Sequence, residues 1–238
     1  MESLNQALTK AAGSVPPAAR SRPRAVVAGA VGRRGEALLN AVLARGGYDE
    51  VSVLAEQPVS MGLKNLTMFT LDDVPPAQDL FLLLSDAGDD MGRSPHGRDA
   101  AFVAVDETSA LNIAKHAVAA GVQRILLVAP TPVLLQFGTM QRGMISTLER
   151  GINALAPTRF VILRPLRQHR SSGLSLLQRI TNVYMSIQML MIPRSLEPVT
   201  SEQLAHLAIK VLNAAEAGLV VIPAGDLALK SRPGSSVG

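Results

Sequence analysis

Three observations predict a doubly wound α/β fold with a parallel sheet: short apolar runs recur along the chain, stretches of helical periodicity separate them, and glycine or proline marks most junctions. Apolar runs this short suit strands buried on both faces, and a helix between successive strands supplies the crossover that parallel pairing requires. The first run is RAVVA at 24–28, followed by a helical pattern through Ala44 that ends at Gly46–Gly47. VSVL (51–54), NLTMF (65–69) and LFLLL (80–84) come next with short loops. A helix over about 101–120, closed by Gly121, precedes RILLVA (124–129), and another over about 139–155 precedes RFVIL (159–163). Thr200 or Ser201 caps a final amphipathic helix, and AGLVVIP supplies the last strand.

Composition narrows the function classes. With 238 residues, 47% of them apolar, the chain suits one large domain with a buried core. The absence of cysteine removes disulfides, thiolate metal sites and cysteine nucleophiles, and suits a reducing, cytoplasmic setting. The net charge of +4 belongs to the ends: Lys10, Arg20, Arg22 and Arg24 lie before residue 25, and Lys230 and Arg232 lie at the other terminus, leaving the body near neutral. With aromatics at only 3% there is little for bases to stack on, so no nucleic-acid partner is expected. Residues 1–23 read as a flexible arm without the apolar core of a secretory signal, and 230–238 as a tail. No stretch reaches the roughly 20 apolar residues that span a bilayer, so no membrane partner is expected. The four histidines lack metal-ligand spacing, and no metal site is predicted.

The chemistry-bearing stretch is VVAGAVGRRGEALL, which sets Gly29, Gly32 and Gly35 between the first strand and the first helix. In a dinucleotide cradle the first glycine permits the tight turn, the second lets backbone approach a pyrophosphate, and the third lets the helix pack on the sheet. The spacing is Gly-x-x-Gly-x-x-Gly, and a turn that needs glycine for geometry alone would read the same way; the position at the first strand of an α/β pattern favours the cradle. Arg33 and Arg34 carry charge that would neutralise phosphate.

Three stretches resemble the atypical short-chain dehydrogenase/reductases, above all the small NAD(P)-binding oxidoreductase-like proteins of the Tat-interacting-protein type: VVAGAVGRRGEALLNAVLARGGYDEVSVL, AFVAVDETSALNIAKHAVAAGVQRILLVAP and RFVILRP. The resemblance covers about 24–215. It implies a Rossmann domain over 24–229 with strand order 3-2-1-4-5-6-7, whose 166–229 part forms a small C-terminal helical region over the cleft. It also implies a cofactor, NAD or NADP, across the C-terminal edge of the strands. Carried onto this sequence, it makes Gly29, Ala30, Val31, Gly32, Arg33, Arg34 and Gly35 the cradle. Thr70 and Leu71 then flank the adenine, Leu84 and Ser85 the ribose and pyrophosphate, and Arg164 and Pro165 the nicotinamide.

Two departures from that pattern carry more information than the matches. Where NADP-preferring members place an arginine after the second strand, this chain has Glu56; a carboxylate there repels a 2'-phosphate and accepts from a ribose 2'-hydroxyl, which favours NAD. Members that transfer hydride use a Ser or Thr after the fifth strand and a Tyr-x-x-x-Lys on the next helix. Here the fifth strand ends in Ala129–Pro130, and the Tyr and Lys positions fall on Gln141 and Ile145, or one turn earlier on Phe137 and Gln141. Tyr48 and Tyr184 are the chain's tyrosines, and no lysine occurs between Lys115 and Lys210.

Substitute acid/base groups are sparse. Ser146, Thr147 and Glu149 lie on the helix after the fifth strand, and His169, with Ser171 and Ser172, lies in a loop after the sixth beside Arg164, Arg167 and Arg170. His169 is the weak catalytic candidate. The apolar positions from Leu176 to Met191 follow helical spacing and suit burial, an interface or an apolar ligand. The sequence therefore points to a dinucleotide-binding module without the standard active site, non-catalytic or regulatory. The alternative is an NAD(P)-dependent oxidoreductase or nucleotide-sugar-epimerase-like enzyme with a relocated acid/base. A small molecule, a protein or a second copy of the chain are the further partners it allows.

Overall fold

The structure is a computed structural model that describes residues 23–45, 47–57, 65–85, 101–131, 143–166, 199–214 and 216–230. Its strands are β1 (Arg24–Ala28), β2 (Glu50–Leu54), β3 (Leu66–Phe69), β4 (Asp79–Leu83), β5 (Arg124–Val128), β6 (Arg159–Arg164) and β7 (Gly218–Pro223). Its helices are α1 (Gly32–Arg45), α2 (Glu107–Ala119), α3 (Thr147–Ala154), α4 (Ser201–Leu212) and α5 (Ala224–Lys230). The seven strands form one parallel sheet in the order β3-β2-β1-β4-β5-β6-β7, the order the resemblance implies.

Each sheet face has its own apolar layer. Val27, Phe81, Leu126 and Val161 face α1 and α4 on one side, while Val26, Leu80, Ile125 and Ile162 face α2 and α3 on the other. Both faces of β4 and β6 are buried along their whole length, which is why these strands read as unbroken apolar runs without alternation.

The N-terminal edge of the sheet is held by a buried polar cluster. Arg124 donates through Nε (2.5 Å) and Nη2 (2.6 Å) to Asp79, and the Tyr48 hydroxyl donates to the same carboxylate at 2.5 Å. Asp79 is fully buried, and the Tyr48 ring meets Phe81 edge-on at a centroid distance of 6.2 Å. Burial, then the Asp79 charge, push the Tyr48 hydroxyl far above the usual phenol range. A raised folded-state value means that this hydroxyl's contribution is fully present below the unfolded phenol's range, near pH 10, and is lost as pH rises beyond it. The stability difference between wild type and Tyr48→Phe is therefore expected to stay constant from pH 7 to 9 and to shrink above about pH 10. Denaturant titrations of both proteins across that range check it; a difference unchanged to pH 11 would contradict it.

Two helix starts differ from the sequence reading. The helix placed over 101–120 begins only at Glu107, because the Asp106 side chain accepts from the Ser109 amide and sets the N-terminus there. Ala101–Val105 instead runs along the C-terminal edge: Phe102 bridges Ala55 antiparallel, the Glu56 amide donates to Ala101, and the Val103 amide donates to Leu54. The helix placed over 139–155 begins at Thr147; of its missing part, 139–142 lie outside the described residues and 143–146 are not helical. The expected cap at Thr200 is present, with Gln203 completing a reciprocal box.

Within the C-terminal region, 167–198 lie outside the described residues, among them His169, Ser171, Ser172 and the Leu176–Met191 stretch. In the described part, α4 packs on α1, β5 and β6, β7 extends the sheet, and α5 follows β7 directly, up to the point where the sequence reading ended the domain at 229. No described helix is long and apolar enough to cross a membrane.

Candidate functional site

The site is built at the point where strand order reverses, between β1 and β4. A Cβ on Gly29 would collide with the Leu83 carbonyl of β4, and Gly29 has φ +80°. A Cβ on Gly35 would collide with the Ala30 backbone. These two glycines thus serve the chain's own close packing: they bring the turn onto β4 and α1 onto the turn. Ala30 and Val31 are buried and offer only backbone to a ligand. Gly32, with φ +68°, starts α1.

That helix start differs from the others. Asp106, Ser146 and Thr200 cap α2, α3 and α4 through side-chain oxygens, and Glu107, Glu149 and Glu202 sit in their first turns. The first turn of α1 is Gly32-Arg33-Arg34-Gly35, with no acidic residue, and Val31 before it has no acceptor in its side chain. The amides of this first turn and the positive end of the helix dipole lie at the switch point beside Arg33 and Arg34, and a helix start of that kind favours an anion over a cation.

The remaining candidates line the same edge. Glu56 is exposed just past β2. Thr70 and Leu71 follow β3, with the Leu71 carbonyl accepting from His116 Nδ1 at 3.1 Å. Leu84 and Ser85 follow β4; the Leu84 amide donates to Val128, the Ser85 amide to Val105, and Ser85 Oγ accepts from the Val105 amide at 3.1 Å. Leu71, Leu84 and Val103 are half-buried against the core there. Pro165 is buried, and its carbonyl accepts from the Thr131 amide.

Arg164 takes a place its motif does not suggest. Its guanidinium is 2% exposed and donates to Glu149 through Nη2 at 2.8 Å and Nε at 3.3 Å, and to the Gly143 carbonyl at 2.7 Å. Glu149 also accepts from the amides of Ile145 (2.6 Å) and Ser146 (3.3 Å), while Ser146 Oγ accepts from the Glu149 amide. Ser146 and Glu149, offered by the sequence as substitute catalysts, are thus the capping box that starts α3, and Arg164 locks that box to β6. Ile145, at the Lys position of the hydride-transfer motif, precedes the cap. It is itself non-helical, and Gln141 and Phe137 lie outside the described residues.

Two features escaped sequence reasoning. Arg34 Nη2 donates to the Leu166 carbonyl at 2.9 Å, and the 101–105 segment covers the ends of β2 and β4. The Ser146-x-x-Glu149 spacing was a readable capping signal for the late start of α3. Nothing local announces the Arg34 bond.

No protein-family model matches the chain, and no curated protein matches it. Solved structures do. The Bordetella bronchiseptica enzyme WbmF in complex with NADH is similar at 12% identity and a TM-score of 0.50, over 89% of this chain and 76% of that one. The B. bronchiseptica enzyme WbmH in complex with NAD+ is similar at 12% identity and 0.48, over 84% and 75%. A short chain dehydrogenase family protein from Francisella tularensis is similar at 13% and 0.41, over 87% and 100%. The likeness to WbmF, with the strand order of the sheet, shows the fold alone: a Rossmann-type α/β domain.

Proposed function

We propose that this chain binds a nicotinamide dinucleotide across the C-terminal edge of its sheet and does not use it for ordinary hydride transfer, acting as a non-catalytic or regulatory module. The observation that carries the binding is the Gly29–Gly35 turn, which sets an acid-free helix start at the switch point. The NADH in the similarly folded WbmF structure supports the same choice of ligand. The amides of α1 and Arg33 would hold the pyrophosphate, with Leu84 and Ser85 beside it and the ribose, Thr70 and Leu71 would flank the adenine, and Glu56 would take the ribose hydroxyls, which favours NAD over NADP. A bound nicotinamide supplies hydride chemistry. What this chain lacks is the usual proton-transfer set: Ala129–Pro130 after β5 carry no hydroxyl, the Thr131 hydroxyl beyond them is buried and donates to the Ala129 carbonyl, and neither Gln141 nor Ile145 replaces the Tyr/Lys pair.

The test is a calorimetric titration of wild type and Gly32→Val with NADH and NADPH. Wild type is expected to bind NADH more tightly than NADPH. Gly32→Val is expected to lose about tenfold or more, because a side chain would stand where the pyrophosphate approaches. Retained affinity in a folded Gly32→Val protein would overturn the cradle, and tighter NADPH binding would overturn the role given to Glu56.

A further inference from the structure

We infer that the free edge of β7 is the surface through which two copies of this chain pair, antiparallel across a two-fold axis at Val220, so that one sheet continues into the next. The inference stands apart from the dinucleotide reading, because β7 is the outermost strand and the switch point lies at β1 and β4.

Among the described residues β7 pairs with β6 alone. In a parallel pair every second residue turns both its amide and its carbonyl toward the neighbouring strand. The Gly218 amide donates to Thr158 at 2.9 Å, so Gly218, Val220 and Ile222 face β6, while Leu219 and Val221 turn their amides and carbonyls outward. No described residue meets those two amides and two carbonyls. Pro223 ends the run, having no amide to offer.

Proteins blunt a free edge with charge, proline or a bulge, or keep it short. The opposite edge follows that rule, since β3 has four residues and an exposed Thr67. β7 has six, and from Gly218 to Ile222 it carries no charge and no proline and pairs with β6 without a bulge. The exposed large apolar side chains among the described residues, Leu219 at 42% and Leu229 at 51%, both belong to this margin. Leu219 stands on the strand, and Leu229 lines a pocket with Val221. An edge so built takes a partner that supplies backbone groups and apolar side chains together.

A second copy supplies both. With the axis at Val220, Leu219 faces the partner's Val221 and Val221 faces the partner's Leu219, so the two amides and two carbonyls of each chain satisfy one another. Leu219 and Val221 share a face by the alternation of a strand, the face on which Val221 packs against the α2–α3 layer. The Leu219 side chain therefore comes to lie against the partner's Val221 and leaves water. A single strand pair with its flanking leucines falls below the roughly 1,200 Å² of a standard interface, which places it among weak, reversible contacts.

The test is sedimentation equilibrium of the full chain from about 1 to 300 μM, as wild type and Leu219→Lys, with thermal unfolding of each as a check of the fold. Wild type is expected to form a dimer with a Kd of about 10–100 μM, and Leu219→Lys, which puts a charge where the edges meet, to weaken it about tenfold or more. Register is read separately. The chain has no cysteine, so a single introduced one reports which residues meet. At the axis Val220 stands about 4.5 Å from the partner's Val220, within disulfide reach, whereas Leu219 and the partner's Leu219 lie about 8 Å or more apart. Under mild oxidation Val220→Cys is expected to cross-link faster than Leu219→Cys, although Leu219 is the more exposed of the two. Wild type that stays monomeric at the top of the concentration range overturns the inference and leaves the edge to a strand of another protein. So does a dimer unchanged in folded Leu219→Lys, or faster cross-linking of Leu219→Cys, either of which places the contact elsewhere.

Discussion

Glu149→Ala is expected to destabilise the fold by about 3–5 kcal/mol, enough to consume a large part of the stability of an ordinary domain. Arg164 is buried at 2% exposure, and Glu149 is its ionic partner. Removing the carboxylate leaves that charge in a low-dielectric interior and also frees the Ile145 and Ser146 amides that Glu149 accepts from. Removing both charges together, as in Glu149→Leu with Arg164→Met, is expected to cost less than Glu149→Ala, because the buried guanidinium is removed along with the carboxylate that neutralises it. Denaturant midpoints of the three proteins measure this. A loss below about 1 kcal/mol in Glu149→Ala would show that the pair is not what anchors α3 to β6.

The second large effect is catalytic. Delivering hydride to a carbonyl leaves an alkoxide that needs a proton, and a positioned acid contributes about 10²- to 10⁴-fold in rate. Neither register of the Tyr-x-x-x-Lys pair holds a tyrosine or a lysine, and Ser146 and Glu149 at the start of α3 are engaged in the cap and the Arg164 lock. NADH oxidation across a panel of carbonyl substrates is therefore expected to fall below ordinary short-chain dehydrogenase turnover by that factor or more. Robust wild-type turnover would refute the non-catalytic reading. If turnover then collapsed in His169→Ala with affinity retained, the relocated-acid alternative would replace it.

The strands were legible because a parallel sheet covered on both faces leaves unbroken apolar runs, and β4 and β6 are buried throughout. The Thr200 cap was legible because its partner Gln203 lies three residues away. What stayed hidden depends on partners that sequence spacing does not announce. Met144 and Ile145 continue a helical apolar pattern, yet the helix starts after them because Glu149 folds back onto their end of the chain and is held by Arg164 from another strand. Phe102 and Val103 read as helix and run instead as an extended segment, because Asp106 caps the helix below them and the chain leaving β2 at Leu54–Glu56 offers backbone groups to pair with. At the site, the glycine turn was legible as a local motif. The inward turn of Arg164 and the reach of Arg34 to Leu166 were not, since each is a side-chain bond between elements.

The central claim is that the glycine turn holds a dinucleotide although the proton-transfer residues are missing. Calorimetric titration of the wild-type chain with NADH tests it most directly. A saturable isotherm with one NADH per chain and micromolar affinity is the expected result, and the absence of binding up to millimolar NADH in the folded protein would contradict it.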